Sequence, residues 1–266
     1  MSRSLTRRLL LATLTVAALA SPALAGGDPV AALCDGLKQD NDCAHADPED
    51  PNRCECDVVA SAEAGKVRVA AVRVRGPGDS FGEVDAVHLA VDAGDGWKDL
   101  GEVASSFEPG AFGIHNAGEL VSLDAFDVPK VGVRVVAQAK NEHDDSDLGM
   151  NAVTSSSEAT TWVCGAVGEG GAWRCAGVDT ERSFGVDKLM DDDATTPDPE
   201  LYGPLGSWRW SQAATFDAKS GALAVKARRG KAYAGKGVEQ PPAVRPGRYP
   251  LEKLLAQPGV RTLDAR

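Results

Sequence analysis

KVRVAAVRVR, residues 66–75, decides the fold class. Alternate side chains of a strand point to opposite faces, and here Val67 and Val69 share one face with Arg68 opposite. Val72 and Val74 then share a face of the other parity, opposite Arg73 and Arg75. The alternation slips by one at Ala70-Ala71, which predicts a β-bulge or a strand that changes sheets.

The same period of two recurs on both sides of this stretch. VDAVHLAVD places Val87, Leu89 and Val91 inward and His88 outward. VGVRVVAQAK places Val131, Val133, Val135 and Ala137 on one face, with Arg134, Gln138 and Lys140 on the other. GWKDLGEV and GELVSLDAF are weaker strands, and NAVTSSSEATTWV, rich in Thr, Val and Ser, reads as an edge strand. About seven strands between residues 58 and 163, parted by Gly, Pro and Asp turns, predict a mainly β antiparallel sandwich, immunoglobulin-like or fibronectin-like in architecture. The Cys-Trp-Cys spacing of true immunoglobulin domains is absent.

Further along, SWRWSQAATFDAKSGALAVKA predicts a hairpin. Trp208, Trp210, Gln212, Ala214 and Phe216 share a face, the turn is Ala218-Lys219-Ser220-Gly221, and Leu223, Val225 and Ala227 continue the apolar side. It forms the centre of a smaller second β unit at 164–236, preceded by the linker-like MDDDATTPDPE. Residues 237–266 read as a Pro-rich basic tail with a short helix at LEKLLAQ, stopped by Pro258.

The N-terminus carries a basic start (Arg3, Arg7, Arg8), a 12-residue apolar run and the small-x-small ending Ala23-Leu24-Ala25. This predicts a signal peptide over 1–25 with cleavage before Gly26, by the Sec route or, through Arg7-Arg8, the twin-arginine route. A membrane-spanning helix needs about 20 apolar residues, so no membrane span is expected. The mature chain is expected in the periplasm or outside the cell.

Export makes disulfides the expected use of the six cysteines. Cys164 and Cys175 are the expected pair, since VCGAVGEGGAWRC is strand, Gly-rich turn, strand. Cys34, Cys43, Cys54 and Cys56 fall at the start of the mature chain; Cys54 and Cys56 are too close to bond each other without strain, so each is expected to reach back to Cys34 or Cys43. The segment 26–57 holds few large apolar residues and reads as an acidic cap ordered by cross-links.

Charge is uneven. Residues 26–216 hold 14 Lys/Arg against 35 Asp/Glu, and residues 217–266 hold 11 against 4. An acidic body repels phosphates, which excludes nucleic acid as main partner. The basic tail either folds back on the body, the reading adopted, or clamps an anionic surface polymer.

Four motifs offer chemistry. GPGDSFGE, residues 76–83, contains G-x-S-x-G at Ser80, but a nucleophile elbow needs a helix after the serine, and VDAVHLAVD has strand period. The reading is a hairpin turn, and no catalytic residue is assigned. GKAYAGKG at 230–237 has the spacing of a phosphate loop but Gly237 where Ser or Thr belongs. Asp40, Asp42, Asp47 and Asp50 in the cap are candidate metal ligands, with calcium the candidate cofactor, because clustered carboxylates on short loops gain from a cation among them. Asp144, Asp145 and Asp147 in NEHDDSDLG, and Asp191, Asp192 and Asp193, form two further acidic loops. Trp208 and Trp210 are either a stacking platform for sugar or core, and core is the reading adopted.

Together these features predict an exported, non-catalytic binding or structural protein whose partner is another protein or an anionic surface polymer. The alternatives are a calcium-stabilised surface module and a serine hydrolase using Ser80.

Overall fold

The computed structural model describes residues 31, 33, 34, 36, 37, 55–77, 82–109, 114–147, 152–188, 207–233 and 242–265. The architecture is mainly β and antiparallel, with little helix. Eight strands follow one another as a meander: β1 (Glu55–Ala64), β2 (Val67–Pro77), β3 (Gly82–Asp92), β4 (Trp97–Pro109), β5 (Ile114–Val128), β6 (Gly132–Asp147), β7 (Ala152–Val167) and β8 (Ala172–Lys188). Each pairs with the one before it. An immunoglobulin-like sandwich uses Greek-key connections instead, so this strand order is a different one.

The meander becomes two layers because the ladder nearly stops between β4 and β5. Among the described residues they share a single paired position, Phe107 with Asn116. The chain turns there, and Val69, Ala71, Val87, Leu89, Val91, Leu100 and Val103 from the first layer meet Val135, Ala137, Ala139, Trp162, Cys164 and Cys175 from the second. Each valine or leucine among them removed from water contributes about 1.5–3 kcal/mol.

The slip read at Ala70-Ala71 is not a bulge in β2. The β2–β3 register runs without interruption from Arg68–Asp92 to Pro77–Glu83. Both faces of the strand are covered, each along a different part. Val69 and Ala71 enter the main core, while Ala70, Val72 and Val74 on the other face lie under a helical segment bearing Leu33, Cys34 and Leu37. Leu37 is 2 % exposed, so this piece of the cap buries apolar surface as well as being cross-linked. The irregularity lies in β1, between Val58 and Ala60.

Three further expectations change. NAVTSSSEATTWV is central, paired to β6 on one side and β8 on the other. Val131 sits in the turn before β6 and is 41 % exposed, whereas Arg134, expected outward, is 2 % exposed. Residue 164, the expected boundary of a second unit, lies within β7, and β8 continues the same sheet.

The hairpin expected from Trp208 onward divides in two. β9 (Ser207–Ser211) extends the large sheet beside β8 and is flanked by β12 (Arg229–Tyr233). β10 (Ala214–Asp217) instead joins β11 (Ala222–Val225) and β13 (Gly247–Pro250) in a three-stranded sheet. Gln212 stands at the break. Its backbone N–H donates to Thr180 O at 2.7 Å, and its Nε2 donates to Lys226 O at 3.0 Å and Val244 O at 2.7 Å. The small sheet and the helical turn Leu251–Leu254 cover the outer face of β7 and β8, burying Val163, Ala176 and Val178 against Leu223, Leu251 and Leu254. Finally β14 (Arg261–Asp264) returns to pair with β8 opposite residues 174–177. Residues 242–265 thus fold back on the body.

Candidate functional site

Strands β5–β8 run 15, 16, 16 and 17 residues, against 10, 11, 11 and 13 for β1–β4. At about 3.3 Å per residue, the strands of the second layer are longer than those of the first by roughly 10–15 Å. Toward one end of these strands the inward-facing side chains turn polar. Asn141 opposes Glu158, Glu158 opposes Arg182, and Thr160 opposes Asp179.

These residues form a network that the C-terminal strand completes. Arg261 on β14 grips Glu158 with both terminal nitrogens, Nη1 to Oε1 at 2.7 Å and Nη2 to Oε2. Its Nε lies 3.1 Å from Asp179. Arg182 reaches Asp179 at 3.3 Å and Glu158 at 3.7 Å, and Thr160 Oγ1 donates to Asp179 at 3.0 Å. Burial works to raise the Glu158 carboxyl, but the hydrogen bond and charge of Arg261, with help from Arg182 and Asn141, outweigh it and hold the group below the ordinary glutamate range. Two carboxylates thus lie among guanidinium groups, an arrangement that fixes the positions of β7, β8 and β14.

Beside the network lies the β4–β5 seam, where side chains replace the missing ladder. Ser106 Oγ donates to Gly118 O at 3.1 Å and accepts from Gly118 N–H at 2.8 Å. Asn141 Oδ1 accepts from Ser105 N–H at 3.1 Å, and its Nδ2 donates to Val103 O at 3.4 Å. The strands approach so closely that a Cβ on Gly118 would sit 2.3 Å from Ser105 O. A cleft of about 430 Å³ opens between this seam and β14, lined among others by Ser105, Asn116, Asn141, His143, Glu158, Trp162, Arg261 and Thr262. His143 Nδ1 is hydrogen-bonded to Asn116 Oδ1.

The residues singled out from sequence lie elsewhere. Cys164 and Cys175 face each other across β7 and β8 as a disulfide, Cα atoms 4.0 Å apart, and Cys34 is bonded to Cys56 with Cα atoms 5.9 Å apart. Cys43, Cys54, Asp40, Asp42, Asp47, Asp50, Asp191, Asp192, Asp193 and Ser80 lie outside the described residues. The motif at Ser80 joins β2 to β3 across the pair Pro77–Glu83, and a strand follows it. Asp144, Asp145 and Asp147 are not in a loop: they belong to β6, laddered between β5 and β7. Among the described residues no group of three or more His, Cys, Asp or Glu is placed to hold a metal, and no helix is long and apolar enough to cross a membrane.

Trp210 is 4 % exposed with the Arg228 guanidinium 3.8 Å over its ring, so it offers no open stacking face. His88, expected outward, is on the expected face yet 8 % exposed, with Nδ1 3.2 Å from Asp99. Glu158, Asp179, Arg182 and Arg261 carried no motif. The available signal was that β6–β8 turn polar on both faces at once, as in KNEHDDSD, TSSSEAT and DTERS.

No protein-family model, no curated protein and no solved structure matches this chain.

Proposed function

We propose that the protein is an exported, non-catalytic binding or structural protein of the periplasm or cell surface. It would be an interaction module on a β-sandwich, comparable in role to immunoglobulin-like domains despite its meander order. The observation that carries this is the polar end of β5–β8, tied together by the Glu158–Arg261–Asp179–Arg182 network, with polar side chains on both faces of the sheet. Its outer face bears the ion pair Lys140–Glu142 at 2.7 Å and the pair Glu181–Arg209. A pre-ordered surface of paired charges loses little entropy on binding and gains specificity from complementary charge. Two basic residues of the tail are engaged internally, Arg248 on Asp217 and Arg261 on Glu158. That favours a protein partner over an anionic polymer.

The test is photo-crosslinking in the producing cell, with the probe at Lys140 or Glu181, after fractionation and N-terminal sequencing of the mature chain. A protein with Gly26 at its N-terminus outside the cytoplasm, crosslinked to one discrete partner, is the expected result. A cytoplasmic location, or no adduct from either position, would overturn the proposal.

A further inference from the structure

The seam cleft contains one polar group the fold leaves without a partner. Trp162 is 4 % exposed, and its Nε1 is buried with no hydrogen-bond acceptor among the described residues. The six-membered edge of its indole packs on Gly177, where a Cβ would lie 2.7 Å from Cζ3. The pyrrole edge bearing Nε1 is therefore turned away from β8. A buried N–H with nothing to donate to costs about 1–3 kcal/mol, and such a group at a cleft is met by a ligand or water.

The other groups lining the cleft narrow the choice. Its charges are largely neutralised within the protein: Glu158 by Arg261, and Glu142 by Lys140. Glu102 adds a further carboxylate at the rim, which opposes an anion. The rest are polar groups on paired strands: Ser105, Asn116, Thr262 and the His143 ring, its Nδ1 already committed to Asn116. Ligand pockets commonly have volumes of about 300–1,000 Å³ with a few fixed polar groups, and this cleft falls in that range at about 430 Å³.

We infer that the cleft between the β4–β5 seam and β14 binds a small uncharged polyhydroxylated molecule, a neutral sugar being the type. Hydroxyls both donate and accept, which suits a lining of amide, imidazole, hydroxyl and indole N–H. The inference goes beyond the binding reading above, whose protein partner meets the outer face, and gives the cleft a ligand of its own.

The test uses the oxidised mature protein with ¹⁵N-labelled tryptophan. The Trp162 indole N–H resonance is assigned by its loss in Trp162→Phe, which keeps a ring and removes the donor. Glucose, galactose, mannose and trehalose are titrated separately, with glucuronate and glucosamine as charged comparators. The expected result is a saturable shift of that resonance with at least one neutral sugar. Trp162→Phe should weaken the same binding about tenfold, the worth of one hydrogen bond of ordinary strength; Thr262→Val, which keeps the shape of the strand, gives a second reading should Trp162→Phe fold poorly. No shift with any neutral sugar, or a shift confined to a charged comparator, overturns the inference. If crosslinking from Lys140 or Glu181 succeeds in that case, only the ligand class falls and the interaction module stands.

Discussion

Arg261 joins Glu158 through a bidentate ion pair across 103 residues of sequence. The pair ties β14 to β7, although among the described residues β14 ladders only with β8. Both side chains are partly exposed, 34 % for Arg261 and 20 % for Glu158, so screening tempers its strength. Arg261→Met should cost about 1–3 kcal/mol, less than the 3–5 of a fully buried pair. Urea midpoints measure it, and amide exchange in residues 261–264 should speed up before the rest of the sheet loosens.

The same pair makes stability depend on pH. Folding holds the Glu158 carboxyl below its ordinary value, and Asp92 is held low by the hydrogen bonds of Arg68 and of Gly94 N–H. A carboxyl whose folded value lies below its unfolded one, about 4.3 for Glu and 3.9 for Asp, stabilises at all higher pH. That stabilisation is lost as pH falls through the folded value. The melting temperature should be level near neutrality and fall below about pH 4.5, and Glu158→Gln should flatten the fall. A variant and wild type with parallel curves would remove Glu158 from the account.

Cys164 and Cys175 enclose 11 residues of sequence separation in one hairpin. A loop of that size contributes about 2–3 kcal/mol in the chain-entropy model. Replacing both by Ala should lower the urea midpoint accordingly and leave the β-sheet circular dichroism in place. Replacing Cys34 and Cys56 should instead make the N-terminal helical segment the first site of proteolysis, since the cross-link between that segment and β1 would be gone.

Gln212→Ala removes the donor to two carbonyl oxygens, those of Lys226 and Val244. Gln212 is 2 % exposed, so the cost should be about 1–3 kcal/mol per carbonyl left bare. Gly177→Ala tests packing rather than polarity. The new methyl would meet the Trp162 ring at 2.7 Å, and overpacking of this kind costs about 1–3 kcal/mol. Near-ultraviolet circular dichroism should report the displaced indole in Gly177→Ala and not in Gln212→Ala.

A fluorophosphonate probe should leave the protein unlabelled, because β3, and not a helix, follows the segment that holds Ser80. Labelling abolished by Ser80→Ala would restore the hydrolase alternative.

Strands were legible wherever one face was apolar and the other polar, as at Val87, Leu89 and Val91. Legibility failed where that premise failed. Val72 and Val74 looked shifted because both faces of β2 are covered, by different partners at different points. TSSSEAT looked like an edge because both its faces are polar, yet that part of β7 is a central strand, paired to β6 and to β8. Gln212 looked like one more strand residue, and only its three tertiary hydrogen bonds show it to be the point where the chain leaves one sheet for another. The Glu158–Arg261 site was out of reach for a plainer reason. Nothing local links residues 103 positions apart.

The meander also sets an order of assembly. From β1 to β8 each strand pairs with its predecessor, so hairpins can form one after another with short loops to close, a local and fast kind of search. The contact between Arg174 and Asp264 breaks that economy, because it spans 90 residues. Until β14 arrives, the stretch of β8 at residues 174–177 offers an unpaired edge, and Gly101 lacks the Leu263 side chain that packs against it. A chain emerging from a ribosome or a translocation channel would spend that interval with an open sheet edge, the state most prone to wrong pairing with a neighbour. Residues 261–264 therefore act late, as the piece that ends the period of risk.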